Sequence, residues 1–139
     1  MKSRRIADGY LVRLERGEEA IAALTSFAAD KKIPCGFLQG IGAIREVTLG
    51  YFDTDTNRYR TKRIRETVEV VSLIGNISHL DNKPSIHAHI VVAGPEQRLL
   101  GGHFIEGTVA VTLEIIVTVI STRLVRTPDT KTGYALWDL

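Results

Sequence analysis

The sequence has one cysteine, Cys35, so no intramolecular disulfide can staple the fold and nothing points to an oxidising compartment. No stretch approaches the ~18 uninterrupted apolar residues that a membrane-spanning helix needs. Charge of one sign is not in excess either. Eighteen Lys and Arg oppose sixteen Asp and Glu, and the resulting net charge of +2 does not mark a nucleic-acid binder. Met1 runs into Lys2, Arg4 and Arg5 with no apolar signal core behind them, as expected of a cytoplasmic protein.

Several chemistry-bearing loops are incomplete. Gly40-Ile-Gly42 has Arg45 where the third glycine of a dinucleotide fingerprint would stand. Asp53-Thr-Asp55-Thr-Asn57 opens like a calcium loop, but Arg58 and Ile64 occupy the positions that need Gly and Glu. It reads instead as a polar hairpin connection. A phosphate-binding P-loop and a Gly-x-Ser-x-Gly nucleophile elbow are both missing. Cys35, beside Pro34 and apolar residues, reads as a buried inert thiol.

What is present is enough for one real core. The 139 residues are 44% hydrophobic and 24% charged, which places the chain among ordinary globular domains and predicts a single domain over 1–139. Apolar residues at Ala20, Ile21, Leu24, Phe27 and Ala28 fall on one helical face and predict a helix from Glu18 to Lys32. Glu18 and Glu19 then lie in its first turn and Lys31 and Lys32 in its last, as the helix dipole favours, and Pro34 stops it.

Nearly everything else predicts strand. Val109, Val111, Leu113, Ile115, Val117 and Val119 make one continuous apolar face along a run from Thr108 to Ser121. Val68–Ile77 and Ile86–Ala93 are shorter β-branched runs, and Phe37–Phe52 is a further extended segment bent at glycines. Pro128–Gly133 reads as loop, with a short strand at Tyr134–Trp137. The expected fold is α+β, an antiparallel and barrel-like or bifurcated sheet with one main helix.

One constellation carries chemistry. His87 and His89 flank a single residue inside a strand, so both rings leave the same face from backbone positions about 6.6 Å apart. His103 follows after thirteen residues that include Gly101-Gly102, a spacing that fits a return across a hairpin. Three neutral imidazoles with an open fourth position form a zinc-type site. His79, in the polar stretch Ser78–Asp81, reads as an exposed histidine outside that group. Two carboxylates interrupt apolar strands and are candidates for proton transfer near the metal, Glu114 ahead of Glu69. Arg58, Arg60, Lys62, Arg63 and Arg65 cluster on one segment. With Asp53, Asp55 and Glu66 around them, they read as a solvated hairpin that blocks edge pairing.

Ala93-Gly-Pro-Glu-Gln-Arg-Leu-Leu-Gly-Gly-His103, preceded by His87-Ala-His89, resembles the "plants and prokaryotes conserved" (PPC) domain in its stand-alone prokaryotic form. Gly40–Leu49 and Glu69–Gly75 resemble two further blocks of that family in the right order. The resemblance implies a homotrimer and a metal, zinc, on His87, His89 and His103. Plant members join the domain to AT-hooks that bind DNA. This sequence carries no Arg-Gly-Arg-Pro hook and has Thr67-Val68 where plant members have Arg-Phe. The expected fold is also similar to that of acetolactate decarboxylase, a zinc enzyme with a His-x-His pair and a later His. Three functions follow as expectations: a metal-binding trimeric module for a small ligand or partner, a DNA-binding regulator, or a zinc-dependent lyase or hydrolase acting on a small carbonyl or carboxylate substrate.

Overall fold

The computed structural model describes residues 1–130 and 133–139. The chain opens with a hairpin the sequence reading does not place, β1 (Lys2–Ile6) and β2 (Gly9–Glu15). Its signal is the alternation of Tyr10, Val12 and Leu14, which are buried, with Leu11 and Arg13, which are exposed.

Helix α1 spans Ala20–Asp30 and buries Ala20, Leu24, Phe27 and Ala28. It is shorter than expected because Glu19 caps it from outside. The Glu19 carboxylate accepts from Ile21 N (3.2 Å) and Ala22 N (2.6 Å), satisfying two orphan donors of the first turn. The same carboxylate accepts from Gly107 N at 3.0 Å, which ties the helix start to the sheet. Glu18, Glu19, Lys31 and Lys32 therefore flank the helix rather than fill its end turns.

The rest is sheet: β3 (Cys35–Asp53), β4 (Arg58–Ile64), β5 (Val68–Leu80), β6 (Lys83–Ala93), β7 (Leu99–Ile120), and a separate small pair, β8 (Arg126–Pro128) with β9 (Ala135–Trp137). All strand pairings in these two sheets are antiparallel. The main sheet has seven strands in the order β1-β2-β7-β6-β5-β3-β4, with an additional β7–β3 pairing. The barrel-like expectation thus resolves into one sheet whose two longest strands change partners along their length. The first half of β3 pairs with β5 and its second half with β4, while β7 pairs with β6 near its start and with β2 near its end.

Bulges allow those bends. Where Gly42 faces Leu113 and Ile44 faces Val109, one residue of β3 is set against three of β7. Val111 falls inside that irregularity and is 67% exposed, which breaks the continuous apolar face expected along the strand. Cys35 is buried as expected, and burial pushes its thiol pKa up. The expected loop at Pro128–Gly133 is in part the end of β8, and Lys131 and Thr132 within it lie outside the described residues. No helix among the described residues is long and apolar enough to cross a membrane.

Candidate metal centre

The alternation of β6 decides what its two faces do. Ala88, Ile90 and Val92 are buried in the core with the helix, so His87 and His89 are forced to the opposite face. Register then assembles the site: Asn76 of β5 lies opposite His87, and His103 of β7 lies directly opposite His89. Gly102 makes the approach possible, since a Cβ there would meet the Gly50 carbonyl oxygen at 2.7 Å. Gly75 does the same beneath His87, whose carbonyl oxygen would lie 2.5 Å from an added Cβ.

The three rings surround one point. Their centroids are 5.4 Å apart for His87–His89, 5.1 Å for His87–His103 and 5.5 Å for His89–His103. One ligand nitrogen from each lies within 4.8 Å of the others, and no carboxylate among the described residues completes this group. Burial, then the charge of Arg126 and the neighbouring rings, lowers the His87 pKa to about 4. Burial also lowers that of His103, with His89 adding to the effect. Both rings are neutral at pH 7, the form that binds a metal.

A ligand is also called for by an unmet contact. Nδ1 of His103 is buried and has no hydrogen-bond partner, a situation that costs about 1–3 kcal/mol when left uncompensated. A cation taking that lone pair removes the deficit, so the residues present fit a zinc-type ion. Such an ion, when bound, lowers the pKa of a coordinated water to ~7 and polarises a ligand oxygen.

The surroundings come from elements that carry no such signal in the sequence. Arg126 of β8 donates from Nε to Ser78 Oγ (2.7 Å), from Nη1 to the Ala135 carbonyl (2.7 Å) and from Nη2 to Asn76 Oδ1 (3.0 Å). Nη2 also lies 3.2 Å from Nδ1 of His87. A guanidinium cannot accept, so that nitrogen of His87 is the acceptor. Tyr59 of β4 lies against His103 with centroids 5.5 Å apart, and Tyr134 packs on Phe52 (4.4 Å) and Tyr59 (5.7 Å). Burial and its contact with Tyr59 push the Tyr134 hydroxyl pKa up.

The other candidates lie elsewhere. Glu114 is exposed opposite Arg13 and lines a groove of about 760 Å³ with Ile41, Ile74 and Ile116, and no histidine takes part in it. Glu69 is exposed opposite Ala93. His79 is not an exposed turn residue: β5 runs on to Leu80, and the turn falls at Asp81 and Asn82, both with positive φ. Its ring is half-buried, with Nδ1 lacking a partner, and its backbone N–H bonds the Leu124 carbonyl. In the basic hairpin, Arg60 pairs with Asp53 and Arg63 with Glu46, so part of the cluster is neutralised within the chain.

This antiparallel fold with its three-histidine group defines a small domain of a recurrent kind. Residues 1–121 match the profile of the Plants and Prokaryotes Conserved (PCC) domain, the family abbreviated PPC above, and the chain belongs to that family. Solved structures agree. A Bacteroides thetaiotaomicron protein, provisionally called DNA-binding, is 33% identical with a TM-score of 0.95, covering 99% of this chain and 96% of its own. A Pyrococcus horikoshii plant- and prokaryote-conserved protein is 32% identical (TM-score 0.87; 99% and 94% covered). A metal-containing protein from Archaeoglobus fulgidus is 30% identical (TM-score 0.87; 97% and 96% covered). Among curated proteins, the bifunctional protein GlmU of a Synechococcus strain is 31% identical over 128 residues, and the chain spans 19% of its length.

Proposed function

We propose that this protein is a zinc-binding homotrimer in which His87, His89 and His103 hold one ion per chain and present it to a small ligand. The observation that carries the reading is the convergence of three imidazole nitrogens within 4.8 Å, two of them on rings kept neutral by burial. Trimerisation draws support from the groove beside Glu114. Ile41 (60%), Ile74 (50%) and Val71 (49%) are exposed there on the sheet, an apolar patch that a second copy of the chain would cover. Protein purified without added metal should contain about one zinc ion per chain by elemental analysis. Light scattering at micromolar concentration should report about three times the monomer mass. Protein that neither carries zinc nor takes it up on titration contradicts the metal assignment, and a stable monomer contradicts the assembly.

DNA binding is the second reading, favoured by the provisional naming of two structural neighbours. The ion pairs Arg60–Asp53 and Arg63–Glu46 weigh against it, because they remove free cations from the most basic segment. Duplex DNA should bind only at the non-specific level, about 10⁻⁴–10⁻⁶ M at physiological salt. Nanomolar, sequence-selective binding would promote this reading above the first.

A further inference from the structure

We propose that Arg126 is the anion-binding residue of the three-histidine site, and that the ligand this site takes is a small oxyanion, a carboxylate or a phosphate. The inference rests on the metal reading above and names the class of ligand for it.

Among the described residues a guanidinium touches the His87 ring and no carboxylate joins the three-histidine group. Arg126 is half-buried and forms no ion pair among the described residues; its four hydrogen bonds all go to neutral acceptors. A guanidinium stays charged in proteins. A divalent ion on the adjacent imidazoles would add two further positive charges, and no carboxylate shares the group to offset them. A half-buried cluster of that charge is costly unless an anion joins it.

Hydrogen-bond arithmetic points the same way. A neutral imidazole has one acceptor lone pair, and that of His87 is given to Arg126. Ligation through Nδ1 takes this lone pair away, and ligation through Nε2 places a proton on Nδ1, facing the donor. In either case the Nη2 N–H that faces His87 loses its acceptor, while the one to Asn76 Oδ1 is kept. Among the described residues Nη1 bonds the Ala135 carbonyl alone, which leaves its second N–H to spare. An N–H freed beside His87 and a spare one on the same guanidinium then make a planar donor set, and a fork of this kind matches the two oxygens of a carboxylate or phosphate. His89 is exposed, so one side of the group faces solvent. Tyr59 supplies an aromatic wall beside His103.

The test uses the zinc-loaded full chain with acetate and with inorganic phosphate as probes, at constant ionic strength. Trp137 is the sole tryptophan, and its ring lies 5.8 Å from the Arg126 guanidinium carbon, so its fluorescence reports on this residue directly. We expect a saturable change with at least one probe, and the two arms tell which oxyanion is preferred. Arg126→Gln should weaken binding by about tenfold or more, and Arg126→Lys, which keeps the charge but loses the fork, should weaken it less. Calorimetry provides the same constants if Trp137 is displaced in a variant. Undiminished binding by Arg126→Gln, or a zinc-loaded wild type that binds neither probe, overturns the assignment. Zinc content measured on the same samples separates the two claims. Wild-type protein that takes up no zinc overturns the metal reading and this inference together, whereas loaded protein without anion binding overturns Arg126 alone.

Discussion

Two regions of one sheet differ in kind. At the histidine end, β6 and β7 present three imidazoles, two of them half-buried, with His87 hydrogen-bonded to a guanidinium and His103 against Tyr59. At the groove end, β2, β3, β5 and β7 present isoleucines and valines, rimmed by Lys2, Arg4, Arg13 and Glu114. The same period-2 pattern builds both, so the contrast is not one of backbone. It lies in what covers each surface. The C-terminal hairpin of this chain folds over the first, through Arg126. The second has no cover from the described residues, and its apolar exposure is what association would remove.

If the two regions are independent, damage to one should leave the other intact. The largest effect should come from His87→Ala combined with His89→Ala. Elemental analysis should find the zinc gone, while light scattering still reports the oligomer. Metal content unchanged by that pair would dissolve the distinction between the regions. Next in size, Ile41→Asp with Ile116→Asp should reduce the mass in solution to that of a monomer. Zinc uptake per chain should persist, because Ile41 pairs with Glu114 and Ile116 with Gln39 and Leu11, and neither lies opposite a histidine.

A smaller and more local effect is expected at Gly102. Gly102→Ala forces a Cβ against the Gly50 carbonyl oxygen, a backbone atom that cannot swing away. Thermal unfolding should show a loss of about 1–3 kcal/mol, together with weaker zinc binding through the displaced His103.

The pH dependence of the metal-free protein should be gentler again. The folded-state pKa of His87 is lowered to about 4, below its ordinary value near 6.5. The unfolded chain therefore binds the proton first. The stabilisation is fully present above pH ~6.5 and is lost as pH falls from there toward 4. Chemical denaturation of wild type and His87→Gln across that range checks the sign: the variant should show a flatter profile. Smallest of all is Glu114→Gln, which should leave zinc content unaltered, since that carboxylate lies in the groove and not at the rings.

The histidine site was legible because strands repeat every two residues. His87 and His89 had to share a face, and the Gly101-Gly102 pair preceding His103 allowed the close return that sets His103 opposite His89. The helix was legible from its apolar spacing, with ends misplaced by the capping of Glu19. The β1–β2 hairpin carries a readable alternation in Tyr10-Leu11-Val12-Arg13-Leu14, but its first strand is charged and exposed throughout and has no apolar face to mark it. Val111 was misjudged because a bulge is a register event between two strands and leaves no mark in either one alone. Arg126 and Tyr134 could not be found by pattern. Their segments are short, and the Arg126–His87 contact joins residues 39 apart, so it exists only once the hairpin has docked.

Crystals grown from zinc-loaded protein, with anomalous scattering recorded at the zinc absorption edge, test the three-histidine centre most directly. One peak per chain is expected, ~2.0–2.1 Å from a nitrogen of each of His87, His89 and His103. A loaded protein whose zinc scatters from any other place, with these three rings left unligated, would contradict it.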